Sequence, residues 1–147
     1  MKRRLILHPT DFSPASRAAF ARAVAEARAS RGQLLVVHVL STVMPFVGDE
    51  YVSPQTYADV LQTVRLHGQK QLDKLVARAK TAGVRVRGLL LEGAAADAIL
   101  RTARSRRADV IVMGTHGRTG FTRMLMGSVA ARVIGTAPCP VLTIKGK

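Results

Sequence analysis

The stretch ADVIVMGTHGRTGFTRMLMGSVAARVI, residues 108–134, decides the fold of this chain. It begins as an apolar run typical of a buried strand, and it ends as a helical pattern that starts near Ser128. Four glycines lie between the strand and the helix: Gly114, Gly117, Gly120 and Gly127. Glycine allows a tight turn, and it also allows a ligand to approach a backbone that carries no side chain. The stretch therefore predicts a strand–loop–helix unit whose loop either turns tightly or binds a ligand.

The rest of the chain repeats this alternation of strands and helices. Apolar runs predict strands at residues 3–9, 33–40, 84–93, 108–114 and 139–145. Helical patterns occupy residues 13–32, 53–81 and 95–107 and the stretch from about residue 128. The first two helices open on Ser-Pro, because serine is a good N-cap and proline suits the first helical position. We expect Gly32 to mark the end of the first helix.

The second helix has a predicted apolar face. The residues that keep helical spacing along it are Tyr57, Val60, Leu61, Val64, Leu72, Leu75, Val76 and Ala79. Gly68 falls on the same face, which indicates either a close backbone contact or a kink.

Apolar strands that alternate with helices belong in a parallel sheet covered on both faces. The sequence contains no linker, internal repeat or low-complexity tract. We therefore predict one three-layer α/β/α domain over residues 1–147, with five parallel strands and right-handed crossovers. The single cysteine, Cys139, is predicted to be a small buried hydrophobe. A lone cysteine without a signal peptide fits the cytoplasm, and no run approaches the roughly 20 apolar residues of a membrane span.

The chain carries a formal net charge of +14, from 23 Lys and Arg against 9 Asp and Glu. Such a charge attracts polyanions, and the basic residues are densest at residues 101–109. Aromatic residues make up only 4% of the chain, so few side chains are available on which nucleic-acid bases could stack. Both a solvated helical face and non-specific association with nucleic acid are compatible with this pattern.

Polar and glycine residues gather where three predicted strands end, in HPTDFS, VHVLS and VMGTHGRTG. Ligands of open parallel sheets bind at the carboxyl ends of the strands. The helix that starts near Ser128 offers free N–H groups to an anion such as phosphate, and Ser128 has two interpretations, a phosphate ligand or only the helix cap. The dinucleotide fingerprint and the phosphate loop with a Gly-Lys pair are both absent from the sequence.

The spacing Gly114-x2-Gly117-x9-Gly127-Ser128 resembles the ATP-binding signature of the universal stress protein family. The resemblance extends over the chain, through LHPTDFSPAS, HVL, residues 108–134 and APCPVLTIK. It implies a sheet of strand order 3-2-1-4-5, a homodimer through the fifth strand, and bound ATP with Mg²⁺. It also implies these nucleotide-binding residues: Pro9, Thr10, Asp11, Val39, Met113, Gly114, Gly117, Arg118, Gly127, Ser128 and Val129.

Within that resemblance, adenine lies near Thr10 and Val39, ribose lies near Asp11 and Gly114, and the phosphates follow the glycine loop. His8 departs from the family pattern, which has an aliphatic residue before the proline. Several residues keep a second interpretation: Asp11 as a helix cap, and Arg118 and His116 as residues that do not contact phosphate. His38 is expected to be a hydrogen-bonded core residue and His67 a surface residue.

No zinc motif and no nucleophile elbow occur in the sequence, so no nucleophile or general base is evident. The function expected from the residues and the resemblance is that of an ATP-binding stress-response or regulatory protein. Two alternatives remain: a slow Mg-dependent ATP hydrolase, which needs only a positioned water, and a basic protein that associates with nucleic acid.

Overall fold

The computed structural model describes residues 2–41, 52–116 and 126–146. Its strands are β1 (Leu5–Pro9), β2 (Gln33–Leu40), β3 (Arg85–Glu92), β4 (Val110–Gly114) and β5 (Val141–Ile144). Its helices are α1 (Pro14–Ala29), α2 (Pro54–Thr81), α3 (Ala95–Arg106) and α4 (Ser128–Thr136). All strand pairs are parallel and the order is β3-β2-β1-β4-β5, so the predicted fold class and strand order are confirmed. That residues 1–147 form a single domain stays a prediction.

Two apolar cores cover the two faces of the sheet. Alternate residues of the central strands point to opposite faces, as the strand period of two requires. Ile6 and Val36 pack with Phe20 of α1 and Leu72 of α2. Their neighbours in the strands pack with the helices of the other face, in a core that includes Leu7, Leu35, Ile99 of α3 and Val133 of α4. The three-layer arrangement follows from this alternation.

The sheet consists of two parts joined at its centre. β1 pairs with β2 from Leu5 to Pro9, and β2 pairs with β3 along eight residues. β1 meets β4 through only two paired positions, Ile6 with Val110 and Leu7 with Ile111. The strands β3, β2 and β1 therefore form one part, and β4 and β5 form the other.

The first two helices begin as the sequence predicts. The Oγ of Ser13 accepts a hydrogen bond from the Ser16 N–H at 3.3 Å, and the Oγ of Ser53 accepts one from the Thr56 N–H at 3.2 Å. The end of α1 differs from the prediction, because Ser30 is the C-cap and Arg31 adopts the left-handed conformation, with φ at 50°. Gly32 has another reason to be glycine: a Cβ there would lie 2.5 Å from the Arg4 carbonyl oxygen.

The apolar face predicted for α2 is wrong in its first half. Val60 and Val64 are 50% and 44% exposed, whereas Leu72, Leu75 and Ala79 are buried. A helix of 28 residues is about 42 Å long, whereas an eight-residue strand spans only about 26 Å. The first half of α2 thus extends past the carboxyl ends of β2 and β3, where none of the five described strands lies beneath it. A Cβ at Gly68 would lie 3.4 Å from His38, Leu40 and Leu90, an ordinary van der Waals distance, so the close contact predicted at this position of the continuous helix is not required.

Candidate functional site

A cleft of about 270 Å³ opens at the carboxyl ends of β1, β2 and β4. Nine of the predicted nucleotide-binding residues line it: Pro9, Thr10, Asp11, Val39, Met113, Gly114, Gly127, Ser128 and Val129. The other two, Gly117 and Arg118, lie outside the residues that the structure describes. The structure thus brings the described members of the set together, and their role in binding stays a prediction.

The cleft lies where the strand order reverses. From β1 the sheet continues to β2 on one side and to β4 on the other, which is where open α/β sheets bind ligands. β1 ends at Pro9, paired with Val37, whereas β2 continues to Leu40. The centre of the sheet therefore has a gap beyond the end of β1, and this gap forms the floor of the cleft.

Thr10 holds the turn after β1 in place. Its Oγ1 accepts hydrogen bonds from the Phe12 N–H and the Ser16 hydroxyl, both at 3.0 Å. Its own N–H donates to the Val37 carbonyl at 2.8 Å, and its carbonyl accepts from Nδ1 of His38 at 2.7 Å. These four bonds fix the wall of the cleft, and they confirm His38 as a hydrogen-bonded core residue.

Asp11 stabilises the same turn. Its Oδ1 accepts a hydrogen bond from the Ser13 N–H at 2.9 Å, while Ser13 itself caps α1. The proposal that Asp11 is the cap of α1 is therefore wrong, although Asp11 supports the capping residue. Phe12 adopts a left-handed conformation, with φ at 62°, and its ring packs on His38 with the ring centroids 4.4 Å apart. The turn is thus held from both sides.

Gly114, the last residue of β4, lies against the start of α1. A Cβ at this position would be 3.2 Å from the carbonyl carbon and oxygen of Ala15. Contacts of this length are tighter than most Cβ contacts, and the neighbour that would have to give way is backbone. The fold therefore favours a glycine at this position, whether or not a ligand approaches it.

The amino end of α4 opens into the cleft. Gly127 is the N-cap and has no side chain to bond the first turn, and its own N–H donates to the Thr115 carbonyl at 2.8 Å. Ser128 is the first residue of the helix and is exposed, so its interpretation as the cap is wrong. The first bond within the helix runs from the Ala131 N–H to the Gly127 carbonyl at 2.9 Å. The preceding N–H groups have no partner within the helix and belong to residues that line the cleft.

The comparisons with known proteins agree with this geometry. The family model described as "Universal stress protein family" matches residues 2–145. This chain belongs to the universal stress protein family. Among similar proteins, universal stress protein MJ0531 of Methanocaldococcus jannaschii is 38% identical over 140 residues, which cover 95% of this chain and 81% of that protein.

Two solved structures show the likeness of the fold. The structure of protein MJ0577 of Methanocaldococcus jannaschii aligns with a TM-score of 0.86, at 24% identity, over 100% of this chain and 99% of that one. A crystal structure of a universal stress protein in complex with cAMP aligns with a TM-score of 0.67, at 25% identity, over 100% of both chains.

His116 adds a polar atom to the cleft of this universal stress protein. Its Nδ1 lies 2.8 Å from the Thr115 hydroxyl, and its Nε2 is buried with no hydrogen-bond partner among the described residues. A buried ring nitrogen without a partner is costly unless a ligand or water meets it. His116 is therefore a stronger binding candidate than its sequence position indicates.

Sequence reasoning missed several residues that line the cleft of this universal stress protein: Ser16, Val37, Ala95, Ile99, Thr115 and Ala130. Ser16 and Thr115 lie within the quoted stretches LHPTDFSPAS and VMGTHGRTG, but neither is among the predicted site residues. Ala95 and Ile99 belong to α3, which starts at the same edge of the sheet. These two residues are linked to the site only by the order of the elements, which places the start of α3 at the carboxyl edge of the sheet.

His8 lies outside the cleft, on the face covered by α1. It is fully buried, its ring packs on Phe20, and its Nδ1–H donates to the Val112 carbonyl at 2.8 Å. The adjacent Pro9 has no N–H to give to a neighbouring strand, so the imidazole provides a donor where the backbone lacks one. Burial lowers the pKa of His8 from 6.5 to about 4, and the ring is neutral at pH 7.

Other titratable groups of this universal stress protein have little part in the site. Burial raises the pKa of the Cys139 thiol, whose side chain packs against the core between the sheet and α3 and α4. Cys139 is half-buried, and not buried as predicted. His67 is on the surface of α2, as expected. The described residues contain no group of three or more potential metal ligands. Among the helices of the described part, none is long and apolar enough to cross a membrane.

Proposed function

We propose that this universal stress protein binds ATP together with Mg²⁺ in the cleft, and that the bound nucleotide controls its interactions in a stress response. The observation that carries the proposal is the pairing of the open amino end of α4 with the gap beyond β1 in one cleft. The amino end of α4 suits the phosphates of a nucleotide, and the gap beyond β1 suits its base. The cAMP complex of the solved family member supports an adenine nucleotide as the ligand.

The phosphate half rests on backbone groups and one imidazole. The N–H groups at the start of α4 carry the positive end of the helix dipole, which favours an anion. Gly127 keeps the approach to them free of a side chain. Nε2 of His116, buried and without a partner in the described part of the chain, supplies a further polar atom when protonated at that nitrogen.

The adenine half rests on the alternation of backbone groups along the strands. Gln33 and Val37 bond towards β1, through Gln33 N–H to Arg4 O and Thr10 N–H to Val37 O, whereas Leu40 bonds towards β3. Val39 therefore directs its N–H and carbonyl towards the gap beyond β1. A base edge that offers one donor and one acceptor satisfies both, and the apolar walls formed by Ile99 and Met113 suit a flat ring.

A magnesium ion in this cleft would be held mainly by the phosphates. Mg²⁺ usually keeps several waters and takes one or two protein carboxylates together with substrate phosphates. In the described part of the chain, Asp11 is the one carboxylate that lines the cleft, and one of its oxygens is bonded to the Ser13 N–H. The donor set fits a metal that arrives with the nucleotide and not one that is bound beforehand.

A competition titration of ATP, GTP and inorganic triphosphate, at low and high salt, tests the proposal. A wrong base leaves the Val39 backbone unpaired, at a cost of roughly 1–3 kcal/mol. We therefore expect ATP to bind at least about tenfold more tightly than GTP, and the preference to persist at high salt because the base contacts are neutral. Equal affinities that weaken together as salt rises would leave only attraction to a basic surface.

Release of phosphate from Mg-ATP, followed in the same samples, separates a binding protein from the slow hydrolase. If the protein only binds ATP, no phosphate is released even after the nucleotide has bound and dissociated many times. Steady turnover that is lost in a binding-deficient variant would identify the hydrolase.

A further inference from the structure

A second concavity, of about 390 Å³, lies at the opposite end of the sheet, where the strands begin. Five cationic side chains line it, Lys2, Arg3, Arg85, Arg87 and Arg106, and no carboxylate is among its described lining residues. We call this group the amino-end basic cluster. Nothing in the nucleotide proposal uses it, because the nucleotide cleft lies at the carboxyl ends of the strands.

The fold explains how the amino-end basic cluster is assembled. Arg85 and Arg87 share one face of β3 with Leu89, which packs on the side of the sheet that carries α3. α3 leads from the edge strand β3 to the central strand β4, and Arg85 and Arg87 remain exposed beside it. Arg106 reaches the same place because α3 ends there.

Helix ends account for only part of the cluster. In a parallel α/β sheet the helices end where the strands begin, so negative dipole ends point to this side and attract cations. Arg106 belongs to the last turn of α3, and the Lys2 ammonium donates to the Arg107 carbonyl at 3.1 Å. Arg3, Arg85 and Arg87 belong to no helix. Charged residues on an edge strand also discourage strand pairing, but that role requires neither a concavity nor cations from two other elements.

Acidic side chains do not neutralise the cluster. The described part of the chain has three ion pairs, Arg22–Glu26, Arg65–Glu92 and Arg132–Asp97, and none includes a cation of the cluster. The carboxylate of Asp109 lies at the same end, where it accepts a hydrogen bond from the Leu5 N–H at 2.7 Å. One carboxylate engaged with backbone leaves the concavity strongly positive.

The basic tract continues beyond this concavity. An adjoining one of about 240 Å³, between the ends of α1 and α2, shares Arg85 and adds Arg28 and Arg31. A ligand that follows both must be an extended polyanion, since a small anion fills only one. Neither concavity has an aromatic residue in its described lining, so bases have nothing on which to stack. Guanidinium groups bind phosphate oxygens in a bidentate manner.

We propose that the amino-end basic cluster binds the sugar-phosphate backbone of single-stranded nucleic acid without reading its bases. The affinity then comes from neutralised phosphates and the counterions they release, so it falls with salt in proportion to the number of contacts. Each phosphate contact contributes about 0.7 to the slope of log K against log salt for a single strand.

Fluorescence anisotropy of a labelled mixed-sequence oligonucleotide, titrated with the full chain at several salt concentrations, tests this inference. The variant Arg85→Gln/Arg87→Gln is compared with Lys70→Gln/Lys74→Gln, which removes the same charge from exposed positions on α2. We expect the arginine variant to lower the salt slope by about 1.4 and the affinity at least tenfold, and the lysine variant to change the affinity less than twofold. Circular dichroism confirms that both variants fold.

Equal losses in the two variants would mean that net charge alone attracts the oligonucleotide, and no loss in the arginine variant would remove the cluster from the binding site. Binding of inorganic polyphosphate without binding of the oligonucleotide would overturn the choice of nucleic acid. In a separate experiment, saturating Mg-ATP is added to the complex with the labelled oligonucleotide. Because the two sites lie at opposite ends of the sheet, we expect it to leave the oligonucleotide bound, and displacement would place the oligonucleotide in the nucleotide cleft instead.

Discussion

Gly114 and Gly127 both border the cleft at the carboxyl ends of the strands, but for different physical reasons. A Cβ at Gly114 would lie only 3.2 Å from the backbone of Ala15, whereas Gly127 has φ −59° and ψ 152°, which any residue adopts. The substitution Gly127→Val therefore separates binding from folding. We expect it to abolish measurable ATP binding in isothermal titration, because a branched side chain occupies the approach to the first turn of α4.

The melting temperature and circular dichroism spectrum of Gly127→Val provide the control. They should be those of a folded protein whose stability falls by about 1 kcal/mol at most, because glycine is preferred to valine at an N-cap. A variant that folds and binds ATP as tightly as the parent would show that the phosphates lie elsewhere.

His8 gives the stability of this protein a specific pH dependence. The folded pKa is about 4 and the unfolded pKa is near 6.5, so between these values the unfolded chain binds more protons. The stability that comes from burying a neutral ring is present above pH 6.5 and is lost as the pH falls towards 4. The difference amounts to roughly 3 kcal/mol at most.

The variant His8→Leu removes this titration. We expect urea denaturation to show that its stability deficit against the parent, caused by an unbonded Val112 carbonyl, narrows between pH 6.5 and pH 4. His67→Leu on the surface of α2 is the matched control and should follow the parent at every pH. A constant deficit for His8→Leu would mean that the buried ring does not resist protonation.

Two glycines within regular elements differ in the space that surrounds them. A Cβ at Gly88 of β3 would lie 3.0 Å from Leu72 and Val76 of α2, whereas at Gly135 of α4 it would meet nothing within 4 Å. We expect Gly88→Ala to destabilise the fold by about 1–2 kcal/mol through overpacking. Gly135→Ala should stabilise it by about 0.5 kcal/mol through helix propensity.

Chemical denaturation of the two alanine variants measures both effects with one type of substitution. If Gly88→Ala is as stable as the parent, α2 shifts freely on the sheet. If Gly135→Ala is destabilised, the end of α4 has a packing partner that its exposure does not reveal.

The elements also show how far the sequence predicts structure. The starts of α1 and α2 follow from serine caps and proline, which act within one turn. Val60 and Val64 have the right spacing but the wrong burial, because periodicity indicates a face of a helix and not the length of the surface beneath it. Only the tertiary structure sets that length.

At the scale of the whole molecule, the alternation of apolar strands and helices was enough to predict the layers, and the resemblance supplied the strand order. Pro9, Val39 and Gly127 come together because parallel strands end at one edge, which is predictable. The close approach of Gly114 to Ala15 depends on the distance at which α1 crosses β4. Pattern reasoning contains no information on such distances.

The other expectation at this scale is a homodimer through β5. This strand pairs with β4 on one side, and the described chain places no strand on its other side. An open edge invites pairing with a second copy. We expect the parent to sediment as a dimer at micromolar concentration and Val141→Lys to sediment as a monomer that remains folded.

Val60→Lys, an equal change at an exposed valine in the first half of α2, serves as the control and should leave the dimer intact. A monomeric parent, or a Val141→Lys variant that is folded and still dimeric, would exclude this interface.

The two-position junction between β1 and β4 has a mechanical consequence. It has the shortest register of the strand pairs, with Ile6 opposite Val110 and Leu7 opposite Ile111, and the His8 ring adds a hydrogen bond to the Val112 carbonyl across it. The cleft lies beyond the carboxyl end of this junction, with Val39 on one side and Gly114 on the other. A ligand bound there would contact both parts of the sheet. Separating the two parts by force would then require breaking the ligand contacts as well as the pairing between β1 and β4.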